Sequence, residues 1–172
     1  MNETHDHPSV RVRSAEPDDI PLLCGLIRDL AVYEKLEHEC RADEAGLAAG
    51  LFGPMPIVGA LIGEVDGKPE GFALYFTNFS TFLCKPGLYL EDLFVRPGVR
   101  GKGLGKALLT RLARLAVDRG CGRLEWSVLD WNEPALGFYR SLGAVPMSEW
   151  TVQRLCGPAL EKVAAMSPNQ AE

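Results

Sequence analysis

Residues 100–105, Arg-Gly-Lys-Gly-Leu-Gly, set three glycines and two cations at the point where a strand-like apolar run gives way to a helical one, with Lys106 directly after. A helix N-terminus offers unpaired N–H donors and the positive end of its dipole, and glycines let an anion approach the backbone without Cβ clashes. The chemistry implied is the binding of a phosphate or pyrophosphate. A P-loop is excluded, because no Lys-Ser or Lys-Thr follows the second glycine, and a dinucleotide fingerprint fails at Lys106, where glycine or alanine is required. A second feature lies just upstream: Glu91 and Asp92 stand side by side in the apolar run 88–95. Two adjacent carboxylates inside a strand need a reason, and alternation along a strand puts them on opposite faces.

The elements that must position these residues follow from periodicity. Residues 10–13 alternate apolar and basic, as a short strand does. Pro17-Asp18-Asp19 then opens a helix whose Ile20, Leu23, Ile27 and Leu30 form one stripe to about Tyr33. A second helix is expected over residues 43–51, ended by Gly53-Pro54. Residues 57–65 and 71–79 read as strands joined by a tight Asp66-Gly67 turn, and residues 88–95 as a third. From Gly103 a helix runs to about Arg119, with Leu104, Leu108, Leu112 and Leu115 on its apolar face, stopped by Gly120 or Gly122. Residues 123–129 are expected to form a strand. Asn132-Glu133-Pro134 supplies an N-cap and an early proline for a further helix, closed by Gly143. One or two final strands are expected between Val145 and Leu155. Strands and helices in this order make a mixed α/β domain. The expected boundaries are a flexible tail at 1–9, a single domain at 10–166 and a disordered tail at 167–172.

Three motifs together resemble the GNAT superfamily of N-acetyltransferases. Arg100, Gly103 and Gly105 match its R-x-x-G-x-G loop for the acetyl-CoA pyrophosphate. Residues 88–95, Leu-Tyr-Leu-Glu-Asp-Leu-Phe-Val, are similar to the central strand of the spermidine/spermine and thialysine acetyltransferase group. Trp131-Asn132-Glu133-Pro134 followed by Phe138-Tyr139 matches that group as well. The resemblance implies a central, mixed, mostly antiparallel sheet of about six to seven strands flanked by about four helices, with splayed central strands. It implies acetyl-CoA as co-substrate, no metal, and a primary amine of a small molecule as acceptor, acetylated by direct attack in a ternary complex.

Carried over to this sequence, the resemblance implies that Arg100, Gly101, Lys102, Gly103, Leu104, Gly105 and Lys106 hold the pyrophosphate. Leu93, Phe94 and Val95 offer a strand edge to the pantetheine, which binds like an added strand. Asn132 and Tyr139 also contact the cofactor. An alkyl ammonium with a pKa of about 10.4 must lose a proton before it attacks a thioester. Glu91 is the candidate base, Asp92 its structural neighbour, and Tyr139 the candidate acid for the departing thiolate. A backbone N–H near Phe94 is placed to polarise the acetyl carbonyl. Tyr33-Glu34 matches a Tyr-Glu pair of the polyamine-acetylating relatives, so the acceptor-binding candidates are Tyr33, Glu34, Glu91 and Asp92. Residues 78–86 depart from those relatives, lacking the acidic and aromatic element that precedes their central strand. The acceptor therefore stays open among a polyamine, a thialysine-like amino acid and a related amine. Trp126, Trp131 and Trp150 either shape that pocket or fill the core.

Composition narrows the classes. A net charge of −5 over 172 residues argues against a broad nucleic-acid footprint. The most apolar stretch, residues 57–63, falls far short of the roughly 20 residues needed to span a bilayer. The acidic, His-bearing start is unlike a secretory signal, so a cytoplasmic location is expected. Cys24, Cys40, Cys84, Cys121 and Cys156 are scattered singly and read as structural thiols, and His5 and His7 offer a metal too few fixed ligands. A homodimer built through the later strands is expected by resemblance. Two rival classes share the loop: a non-catalytic acyl-CoA sensor, which has no use for Glu91 and Tyr139, and an acetyltransferase of protein N-termini or lysines.

Overall fold

The computed structural model describes residues 8–166 and divides into two compact units, one ending at Ser127 and the other beginning at Val128. In the first unit the order is β1 (Val10–Ser14), α1 (Ile20–Glu34), α2 (Glu44–Phe52), β2 (Gly59–Val65), β3 (Lys68–Ser80), β4 (Lys85–Val95), α3 (Leu104–Asp118) and β5 (Leu124–Trp126), with short 3-10 turns at Pro17–Asp19 and Pro97–Val99. The five strands form one sheet in sequence order. β1 to β4 are antiparallel neighbours, and β5 lies parallel to β4 after the α3 crossover. Asp66 and Gly67, at φ 50° and 75°, make the expected two-residue turn between β2 and β3.

Each face of the sheet is covered. Ile20, Leu23, Leu26 and Leu30 of α1 pack with Leu51 of α2 against Ala60, Ile62, Phe72, Leu74 and Phe94. On the opposite face α3 buries Leu104, Leu108, Leu109 and Leu112, each worth about 2 kcal/mol of transfer free energy. Gly63 makes that approach possible, since a Cβ there would stand 2.7 Å from Leu104 Cδ1. Arg13 closes the corner where β1 meets α1. Its guanidinium donates to both Asp19 carboxylate oxygens at 2.6 and 2.8 Å and to Glu64 at 2.9 Å.

The second unit holds α4 (Glu133–Ser141) and α5 (Gly157–Ala164). Asn132 caps α4 by accepting a hydrogen bond from Ala135 N–H at 3.3 Å, as its position before Glu133-Pro134 requires.

Four expectations need correction. Among the described residues the sheet has five strands, short of the six to seven expected, and there are five α-helices where about four were expected. The strand expected at 123–129 is confined to Leu124–Trp126, and no strand forms between Val145 and Leu155. A strand exists only where another strand satisfies its backbone, and among the described residues none pairs with 145–155. The helix α5 was not foreseen, although Gly157-Pro158 ahead of an Ala- and Leu-bearing run is an N-terminal signal. The tails expected at 1–9 and 167–172 fall, apart from Pro8 and Ser9, outside the described residues, as do His5 and His7. Ser9 is tied to Asp66, donating its N–H to the carboxylate at 2.9 Å and accepting from the Asp66 N–H at 2.8 Å. All five cysteines are free thiols.

Candidate active site

β4 carries a bulge at its two acids. Leu90 pairs with Tyr75 and Asp92 with Leu74, leaving Glu91 as the extra residue of the strand. The bulge resets which face each side chain takes. Asp92 shares the face of Leu74 and Phe94, the side on which α1 packs, whereas Glu91 is exposed. Glu34 ends α1 on that same side.

The electrostatics follow from this placement. Burial first, then the nearby carboxylates of Glu91 and Glu34, together push the Asp92 carboxyl up from 3.8 to about 6. Burial also pushes Glu34 upward. Every charged group acting on Asp92 is thus another acid, and among the described residues none of the three forms an ion pair. Such a cluster lacks a cation, and a bound ammonium would supply one.

The glycine run sits beside it. Gly101 and Gly103 adopt φ of 82° and 91°, which only glycine takes without strain, and a Cβ at either would meet nothing within 4 Å. Gly103 is the N-cap of α3 and has no side chain to cap with, so the first-turn N–H groups of Leu104, Gly105 and Lys106 receive no side-chain cap, and the space beside the Gly103 Cα is open. Lys102 and Lys106 are exposed at the same end. These features fit an anion of pyrophosphate size.

Arg100 joins the two features. Its guanidinium lies 4.2 Å from the Tyr33 ring centroid and 6.0 Å from that of Phe94, and its Nε donates to the Val95 carbonyl at 2.9 Å. Tyr33 in turn packs on Phe94, ring centroids 6.4 Å apart. The sequence marked Arg100 only as a loop cation. Its role in linking the loop to the end of α1 required the fold.

On its far side β4 pairs with β5 only from Leu88 to Leu90 and continues through Glu91, Leu93, Phe94 and Val95 without that neighbour. The backbone edge at Leu93–Val95 is therefore open toward β5. Across the start of the opening, the Tyr89 and Ser127 hydroxyls share a hydrogen bond of 2.8 Å, a contact the sequence did not suggest.

The first unit thus brings together Tyr33, Glu34, Asp92, Phe94 and the loop at 100–106. Asn132 and Tyr139 belong to the second. There Asn132 is buried at the cap of α4, and the Tyr139 ring packs on Phe138 with centroids 5.3 Å apart. Trp126 is half-buried, and Trp131 and Trp150 are exposed.

A mixed sheet with a parallel β4-α3-β5 crossover, an uncapped glycine turn at α3 and an open β4 edge define an acyltransferase of the acetyl-CoA type. Residues 27–144 match the Acetyltransferase (GNAT) family, and the chain belongs to that family. It is 36% identical to the thialysine N-epsilon-acetyltransferase of Bos taurus, over 90% of this chain and 97% of that one. It is 35% identical to the L-ornithine N5-acetyltransferase of Arabidopsis thaliana, over 89% and 87%. An integron cassette protein from the mobile metagenome of V. cholerae has the same fold, with a TM-score of 0.77 and 31% identity over 92% of this chain and 99% of that one.

Proposed function

We propose that the chain transfers the acetyl group of acetyl-CoA to the primary amine of a small molecule, within a single acetyltransferase domain to which both units contribute. The observation that carries this reading is the set of three unpaired carboxylates, Glu34, Glu91 and Asp92, beside an uncapped glycine turn at a helix N-terminus. A family match running from 27 to 144, and so through residues of both units, supports it. Relatives named for thialysine and ornithine acetylation point to an amino acid with a side-chain amine as acceptor.

In this reading Arg100, Gly101, Lys102, Gly103, Leu104, Gly105 and Lys106 hold the pyrophosphate, Leu93, Phe94 and Val95 pair with the pantetheine, and Asn132 and Tyr139 contact the cofactor. The acceptor ammonium is drawn to Glu34, Glu91 and Asp92, with Tyr33 as the wall behind it. We assign the base to Asp92, whose carboxyl, at about 6, is poised to take a proton near neutrality, and give Glu91 the supporting charge. The free amine attacks the thioester carbonyl, the C–S bond breaks, the thiolate takes a proton from the Tyr139 hydroxyl, and the proton shed by the attacking nitrogen as the amide forms returns the tyrosinate to its phenol.

No helix among the described residues is long and apolar enough to cross a membrane, and we place the enzyme in the cytoplasm, acting without metal, membrane or nucleic acid. We also propose a homodimer. Val145, Met147, Trp150, Val152 and Leu155 are exposed in a stretch with no strand partner among the described residues, and a second copy would cover them. A sedimentation mass of one chain would contradict this.

The test of function is release of CoA thiol from acetyl-CoA with L-ornithine, thialysine, lysine and spermidine. Turnover on one amine class, falling by about 10²-fold or more in Tyr139→Phe, is the expected result. Equal rates in the two proteins would remove Tyr139 as the acid, and binding of acetyl-CoA without turnover on any amine would contradict the enzyme.

A further inference from the structure

From Leu93 to Val117 the chain holds six cations and no acid, although its net charge is −5. Four of the six, Lys102, Lys106, Arg111 and Arg114, line a groove of about 580 Å³ between α3 and β1. Among the described residues none of these four forms an ion pair. Like charges a turn apart on a helix repel one another, so a stripe of a single sign costs stability unless something anionic covers it. Gly103 and Ala107 keep the floor of the groove low, and Val10 and Val12 form its opposite wall.

Among the described residues β1 is the outer strand of the sheet, paired with β2 alone. The Ala15 N–H donates to the Ala60 carbonyl and the Ser9 carbonyl accepts from Asp66 N–H, so odd-numbered residues of β1 turn their backbone groups to β2. By alternation Val10, Val12 and Ser14 turn theirs outward. The residues whose side chains wall the groove are therefore those whose N–H and C=O groups stand open beside it, a sheet edge available for strand addition.

We infer that this groove binds an acidic peptide segment of a partner protein, which adds as a strand to β1 and sets alternate Asp or Glu side chains over α3. The spacing agrees. Lys106 and Arg114 are separated by about 12 Å along the helix, close to the roughly 13 Å between strand residues four apart, both of which face the same way. Val10 and Val12 favour apolar residues between the acids. Free phosphate or a nucleic acid would answer the charge and leave the strand edge unused, and the overall acidity of the chain opposes a long polyanion. Lys102, Gly103 and Lys106 are shared with the proposed pyrophosphate loop, whereas Arg111 and Arg114 lie outside both that loop and the acceptor site, so the charge reversals that test the inference are confined to those two.

The experiment uses the full chain and a fluorescent, N-acetylated and C-amidated hexapeptide of alternating Glu and Val. Its binding is compared with that of a block Glu-Glu-Glu-Val-Val-Val peptide and of octathymidylate. The expected result is a Kd below about 1 mM for the alternating peptide, weakening with salt and rising about tenfold or more in Arg111→Glu/Arg114→Glu, with acetyl transfer unchanged. Val12→Pro, which removes an outward N–H and spares the pairing with β2, is expected to weaken binding comparably. Should Val12→Pro fail to fold, the charge-reversed protein carries the test together with the block peptide. Absence of binding below about 1 mM, unchanged affinity in the charge-reversed protein, or equal affinity for the block peptide or octathymidylate would overturn the inference.

Discussion

Two groups of carboxylates in the first unit are built from the same residue types and behave in opposite ways. Asp19 and Glu64 meet at Arg13, whose guanidinium donates to both, and those hydrogen bonds hold the Asp19 carboxyl below its ordinary 3.8. Asp92 feels only the like charges of Glu91 and Glu34, and burial with that repulsion lifts it to about 6. The first cluster is complete and fastens β1 to α1. The second is incomplete, and a protein that keeps an incomplete charge cluster at a sheet bulge gives up stability for something that the site does. The cationic amine we propose as acceptor would resolve it.

The largest effect is expected where the second cluster is neutralised. Asp92→Asn should lower kcat for acetyl transfer by about 10² to 10⁴, while leaving the fold at pH 8 as stable as wild type or more stable by about 1 to 3 kcal/mol. Steady-state kinetics and urea unfolding of the same protein read both quantities. A destabilised Asp92→Asn protein would break the comparison.

Next in size is Arg13→Ala, which strands Asp19 and Glu64 with little access to water. A loss of about 3 kcal/mol in urea unfolding is expected, with kcat of the folded fraction unchanged. A loss under about 1 kcal/mol would place the pair among surface ion pairs of little worth.

The pH dependence of stability separates the clusters by sign. Asp19 titrates lower in the folded chain than in the unfolded one, so its contribution is present above about pH 4 and is lost as pH falls through its folded value. Asp92 titrates higher when folded. Its contribution is full below about pH 4 and is lost as pH rises through about 6, by up to about 3 kcal/mol. Subtracting the unfolding profile of Asp92→Asn from that of wild type should therefore leave a step between about pH 4 and 6 in which only wild type loses stability.

The smallest effect is expected at Glu34→Gln, which removes one of three attracting charges. About a tenfold rise in acceptor KM with little change in kcat would sharpen the assignment, and an unchanged KM would remove Glu34 from the acceptor site.

Much of this was legible before any coordinates. The α3 N-terminus was marked by its glycines, α1 and α3 by apolar stripes, and α4 by Asn132 and Pro134. The bulge was not, because residues 88–95 are apolar on either side of the acids and carry no alternation from which parity can be read. The sequence alone therefore offers Glu91 as the candidate base, and our proposal of Asp92 rests on a burial that its pairing with Leu74 brings about. The strands missing from 145–155 have a similar cause. Local pattern reports a tendency to extend, whereas a strand needs a partner whose presence no local pattern records. Arg100 over Tyr33 joins residues far apart in sequence, which only the fold brings together.

The most direct test of the central claim is a titration of the Asp92 side-chain carboxyl by carbon NMR, in the free protein and with a saturating amine. A midpoint near 6 in the free protein, falling when the amine binds, is the predicted result. A midpoint near the ordinary 3.8 that no amine displaces would contradict an unpaired carboxylate cluster waiting for a cation.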